Sequence, residues 1–184
     1  MIVKSLPAES TLGSLSQKVK TCDGGKSVSG EVKVMKKVLV AIDGGEVSKS
    51  VVDYAFHYAA REKDAEMIFF HVIESSEAKD VSVPGYTAHV IPPEEEVKSH
   101  FENMIREVRD ASGYDVTSYR VEVTYGVSYE EIIDFAENED VFMIMIGHRR
   151  MTRLKRFFLG SVAAKVVAHA PCSVYVHRPK ELME

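Results

Sequence analysis

The chain has 184 residues, 45% of them hydrophobic, and a formal net charge of −5. That suits one domain with a substantial core, and the acidic balance excludes a surface built for non-specific nucleic-acid binding. No apolar run nears the roughly 18–20 residues that span a bilayer, MIVKSLPAESTLGSLSQKVK carries no continuous apolar core of signal-peptide type, and Cys22 and Cys172 make neither a disulfide framework nor a metal set, so a reducing cytoplasm is the expected setting.

Residues 1–35 are rich in Ser, Gly and Lys and read as a tail or linker. Within them Leu12–Val19 repeats Leu159–Val166 at five of eight positions, the trace that a remnant of a second domain would leave. A domain is expected over residues 36–179, followed by a short C-terminal tail, 180–184. Val38–Ile42 is a β-branched run ending in the turn signal Asp43-Gly44-Gly45. Val47, Val51, Tyr54, Ala55, Tyr58 and Ala59 share one face of a helix over 47–61. Met67–Ile73 is a second buried strand, and Glu74–Pro93 reads as irregular. Pro92-Pro93 sets the start of a helix carrying Val97, Phe101, Met104, Ile105 and Val108. Val116–Tyr125 alternates as a strand, Gly126 ends it, and Ser128 is positioned to cap a third helix. Val141–Ile146 is the fourth strand, Val162–Ala168 the fourth helix and Ser173–His177 the fifth strand. Near-continuous apolar strands alternating with helices predict an α/β fold, a five-stranded parallel open sheet with helices on both faces. Such sheets bind ligands beyond the carboxyl ends of their strands.

The stretch Val141–Pro179 carries the chemistry. An apolar strand stops at Gly147, a basic loop follows (His148, Arg149, Arg150, Arg153, Lys155, Arg156), and Gly160-Ser161 opens a helix. A helix N-terminus offers free N–H groups and the positive end of a dipole to an anion, and a glycine lets the backbone approach a ligand closely. The same features also describe a turn, a solvated cationic face and an N-cap serine. His169 suits the end of its helix by complementing the dipole, and Cys172 reads as a buried thiol. No histidine stands in metal-ligand spacing with cysteines or carboxylates, and no catalytic constellation stands out.

These residues resemble the universal stress protein family. Its nucleotide loop, G-x2-G-x9-G-[ST], is matched by Gly147, Gly160 and Ser161, with Arg150 in place of the middle glycine. KKVLVAIDGGEVSKSVVDYA resembles the family's first strand, turn and helix, Phe69–Ile73 its second strand, and HAPCSVYV its last; the likeness runs from about Lys36 to Arg178. The resemblance implies strand order 3-2-1-4-5, an adenine nucleotide (ATP foremost, with Mg²⁺) and a homodimer through Ser173–His177. It implies a site at Asp43, Val72, Gly126, Gly147, Arg150, Gly160, Ser161 and Val162. Within it, Asp43 would face the adenosine, Val72 would hold the base through its backbone, and Gly126 would approach the ribose. Ala163 stands where the family often has a hydroxyl. Two departures, Arg150 and Ala163, leave a second reading open: a nucleotide-free homodimeric interaction module. A third, hydrolysis at the α–β phosphate bond, is opposed by Asp43 where fold relatives of that kind have serine. Any ATP hydrolysis would be slow for want of a positioned base.

Overall fold

A computed structural model describes residues 35–84, 86–116, 118–148 and 159–179. The N-terminal tail with its Leu12–Val19 repeat, the loop holding Arg150 and the last five residues lie outside the described residues.

The strands of the main sheet are β1 (Lys36–Ala41), β2 (Ala65–Ile73), β5 (Tyr119–Tyr125), β6 (Met143–Gly147) and β7 (Ser173–His177). They lie in the order β5-β2-β1-β6-β7, all parallel, which is the expected 3-2-1-4-5 once the sheet's own strands are counted. The helices are α1 (Glu46–Arg61), α2 (Glu94–Ser112), α3 (Ser128–Asn138) and α4 (Ser161–His169).

Alternation along each strand divides the core in two. Val38, Val40, Met67, Phe69 and Val121 meet Val51, Ala55 and Phe56 of α1 and Phe101 and Ile105 of α2. Leu39, Ile68, Phe70, Ile144 and Ile146 meet Ile132 and Ala136 of α3 and Ala163 and Val166 of α4. A strand buried on both faces needs apolar residues at every position, which is why these segments read as unbroken runs.

Three local expectations are corrected. Glu74–Pro93 is not irregular: a 3-10 turn (Ser75–Glu77) leads into an antiparallel hairpin of β3 (Lys79–Val83) and β4 (Tyr86–Val90). The last pair before the chain reverses is Val83 with Tyr86. The sequence does alternate here, Val81, Val83, Tyr86, Ala88 and Val90 against Asp80, Ser82, Thr87 and His89, but in two runs of only five residues with Ser82, Tyr86, Thr87 and Val90 exposed. The fourth strand begins at Met143 rather than Val141, because Asp140 turns the chain at φ 51° and Phe142 remains half-exposed. Ser128 is not a cap but the first residue of α3, with Val127 in the cap position.

At the sheet's β7 edge Tyr54 stacks on Tyr175 with ring centroids 4.8 Å apart, and His177 Nε2 lies 2.9 Å from Ser50 Oγ. Burial holds the His177 imidazole below its ordinary range, with Asp53 opposing. The folded state therefore favours the neutral ring, while the unfolded chain protonates it below about pH 6.5. Stability is full above that pH and falls as the pH drops. We expect thermal unfolding of the wild type to lose more stability than His177→Gln between about pH 7 and pH 5.5; parallel curves would exclude His177 as the source.

Candidate functional site

A cleft of about 400 Å³ opens at the C-terminal ends of β1, β2 and β6 and the start of α4. Strand order reverses here, β1 leading to β2 on one side and lying beside β6 on the other. Asp43, Val72, Gly147, Gly160, Ser161 and Val162 all line it.

At the β1 end, Asp43 Oδ1 accepts hydrogen bonds from Ser48 Oγ (2.6 Å) and Gly45 N (3.0 Å), and Asp43 N donates to Ser48 Oγ (2.8 Å). Ser48, which is buried, thus locks the turn into the first turn of α1. One carboxylate oxygen of Asp43 is committed to turn chemistry, so anything Asp43 offers a ligand comes from Oδ2.

At the β2 end the ladder to β1 closes with Ile42 N donating to Phe70 O (3.0 Å). Ile73 O accepts from Gly126 N on the opposite side (3.2 Å). Peptide groups alternate sides along a strand, so Val72 N–H and C=O face the gap where β1 has turned away. His71, 6% exposed, sends its ring to the other face of the sheet, against Phe101 at 4.3 Å between centroids. Its Nδ1–H donates to Ile42 O (2.9 Å). Its Nε2 is buried without a hydrogen bond, 3.5 Å from Glu77 Oε2; a proton there would make the two an ion pair. Glu74 Oε1 accepts from Ser128 N (3.1 Å) and Oγ (2.5 Å), joining the end of β2 to the start of α3.

At the far wall the first backbone bond of α4 runs from Ala164 N to Gly160 O (2.8 Å). The N–H groups of Ser161, Val162 and Ala163 therefore have no acceptor within the helix. The N-cap is Gly160, not Ser161, and no side chain caps the helix. Gly147 is required for a different reason than ligand approach: a Cβ there would lie 2.8 Å from Val47 Cγ1 and 3.2 Å from Val51 Cγ2. Helix α1 presses on β6 at this point.

Gly126 is not among the residues lining the cleft. Its φ of 156° and the Glu131 side chain standing where a Cβ would go make it a glycine on conformational and steric grounds. Arg150 lies outside the described residues. His71, Glu74, Glu77 and Ser128 line the cleft but escaped the sequence reading; an ionisable residue inside the apolar run Met67–Ile73 was the available signal. Among the described lining residues Asp43, Glu74 and Glu77 are carboxylates and none is Lys or Arg, and the α4 N-terminus supplies a partial positive charge. No group of three or more His, Cys, Asp or Glu able to hold a metal stands among the described residues. Cys172 is half-buried rather than buried as expected, and that burial pushes its thiol up, which disfavours the thiolate. No helix among the described residues is long and apolar enough to cross a membrane.

The profile of the universal stress protein family matches residues 35–178. This chain belongs to the universal stress protein family. A universal stress protein of Methanocaldococcus jannaschii is 29% identical over 147 residues, covering 79% of this chain and 84% of that one. The solved structure of universal stress protein UspA from Lactobacillus plantarum superposes with a TM-score of 0.58 at 22% identity, over 78% of this chain and 97% of that one. The universal stress protein from Archaeoglobus fulgidus, solved in complex with dAMP, gives a TM-score of 0.52 at 19% identity, over 79% and 99% of the two chains. At these identities the structural likeness establishes the universal stress protein fold.

In this universal stress protein Gly147→Ala is expected to cost about 1–3 kcal/mol by overpacking against α1, measured by urea unfolding. Adding Val47→Ala should return part of that loss. Full stability in Gly147→Ala alone would show that α1 yields freely.

Proposed function

We propose that this chain is a regulatory universal stress protein that binds an adenine nucleotide, foremost ATP, in the cleft between β1, β2, β6 and α4. One observation carries the reading: the open peptide edge at Val72 and the N-terminus of α4 face the same cleft. A base edge that pairs an acceptor with a donor is met by the Val72 N–H and C=O. Phosphates are met by the free N–H groups at Ser161–Ala163 and by the Ser161 hydroxyl. Asp43 borders the space between them. Mg²⁺ would arrive with the phosphates and neutralise their charge. The complex of the Archaeoglobus fulgidus relative with dAMP supports an adenine nucleotide as the ligand class. No step of bond cleavage is assigned to the cleft.

Calorimetry of the full chain with about 1 mM Mg-ATP tests this, that concentration being enough to reveal even weak binding. We expect heat and a raised melting temperature, and loss of both in Gly160→Leu, whose side chain would crowd the helix start. Silence of the unaltered protein at that concentration sinks the reading.

A second reading, a nucleotide-free homodimeric interaction module, draws on the three carboxylates that line the cleft and would oppose phosphate. Dimerisation itself is compatible with either reading. β7 is the outermost strand and bonds to β6 alone in the sheet. His148 N donates to His177 O (2.8 Å), so the peptide groups of Tyr175 and His177 face β6 while those of Val174 and Val176 face outward. We infer that two copies pair antiparallel along this edge about a two-fold axis. Val176→Pro removes an outward donor without cutting the β6 ladder, and is expected to halve the mass seen by light scattering. A wild-type mass near 20.6 kDa at tens of micromolar would rule out the pairing there.

A further inference from the structure

Parallel pairing between β1 and β2 should not stop where it does. With Ile42 N donating to Phe70 O, the next rung of a parallel ladder runs from Val72 N–H to Ile42 O. Among the backbone hydrogen bonds of the described residues that rung is missing. The Ile42 carbonyl instead accepts from His71 Nδ1 at 2.9 Å. A carbonyl only accepts, so Nδ1 carries the proton, and this holds whether or not Nε2 is also protonated. Strand side chains stand roughly perpendicular to the sheet. A carbonyl engaged by one is therefore drawn off the in-plane rung and toward the α2 face, where the His71 ring rests on Phe101. The chain then leaves the sheet through Asp43 and Gly44, the latter at φ 75°.

We propose that His71 is the positioning residue for the base end of the cleft: by capturing Ile42 O it ends the β1–β2 ladder and keeps the Val72 N–H available to a ligand. The inference rests on the reading that the cleft binds a nucleotide, but its structural half stands apart from any ligand. His71 touches no ligand in this scheme. It acts through the Ile42 peptide, and its burial (6% exposed) fixes the ring against both Phe101 and the end of β1.

Two variants of the full chain separate the possibilities. His71→Leu keeps an apolar body against Phe101 and removes the donor. His71→Asn keeps an N–H near the position of Nδ1 and supplies the conservative rescue. The first measurement is amide hydrogen exchange at Val72 in ligand-free protein. We expect rapid exchange in the wild type and in His71→Asn, and exchange slowed about tenfold or more in His71→Leu, as the freed carbonyl takes the Val72 N–H. The second is calorimetric ATP affinity, expected to fall about tenfold in His71→Leu and to recover in His71→Asn, the size of one lost hydrogen bond. Unchanged Val72 exchange in His71→Leu overturns the inference, even where affinity falls. Loss in His71→Asn equal to that in His71→Leu, with both variants folded, also overturns it. If no variant and no wild type binds ATP while Val72 exchange follows the expected order, the nucleotide reading fails and the ladder-ending role of His71 stands.

Discussion

β1 pairs with β2 from Lys36 opposite Ala65 to Ala41 opposite Phe70 and then turns away at Asp43-Gly44, while β2 continues to Ile73. Every feature of the cleft depends on that difference in length. A parallel sheet buries both faces under helices, so a strand that stops early leaves an opening walled by helix ends and strand ends rather than by solvent. Exposed peptide groups deep in such an opening need partners. The turn at Asp43 is consequently held from several sides at once: by Ser48 from α1, by its own Oδ1, and by His71 reaching across from the neighbouring strand. Glu74, just past β2, then joins this rim to the start of α3 by accepting from Ser128.

The sheet was legible in the sequence because burial on two faces leaves a strong trace. Val38–Ile42 and Met67–Ile73 have no polar alternation except His71, and that exception sits at the site. The hairpin of Lys79–Val90 left a weaker trace, an alternation of Val81, Val83, Tyr86, Ala88 and Val90 confined to two five-residue runs. The cap expected at Ser128, and the cap reading left open at Ser161, differ from the structure for a related reason. A serine near a helix start satisfies the same pattern whether it caps the helix or opens it, and the one-residue difference decides whether its hydroxyl is turned inward or offered outward. The spacing that marks Gly147 as a candidate says nothing of its steric reason, the pressure of Val47 and Val51, which belongs to tertiary contacts that no local pattern records. His71, Glu74 and Glu77 were invisible as a group because the register that brings them to one rim is set by strand pairing.

Charge in the cleft is divided in a way that composition could not reveal. The described lining holds carboxylates on the β1 and β2 side and the amino end of α4 on the other. A helix N-terminus favours negative charge, so the two described walls differ in the charge they accommodate.

The open edge of β2 is made of peptide groups, and this has a consequence for how such a protein drifts. Every residue except proline presents the same N–H and C=O, so replacing Val72 changes the lining by a methyl or two and leaves the donor and acceptor intact. A scan that shortens side chains one at a time would register the packing of buried Val72 but not its hydrogen-bonding groups. Sequences can therefore diverge widely at the cleft while keeping its hydrogen-bonding capacity. Losing that capacity takes a change that re-routes the main chain: an extra rung of sheet, a proline, or a shift of the strand beside it.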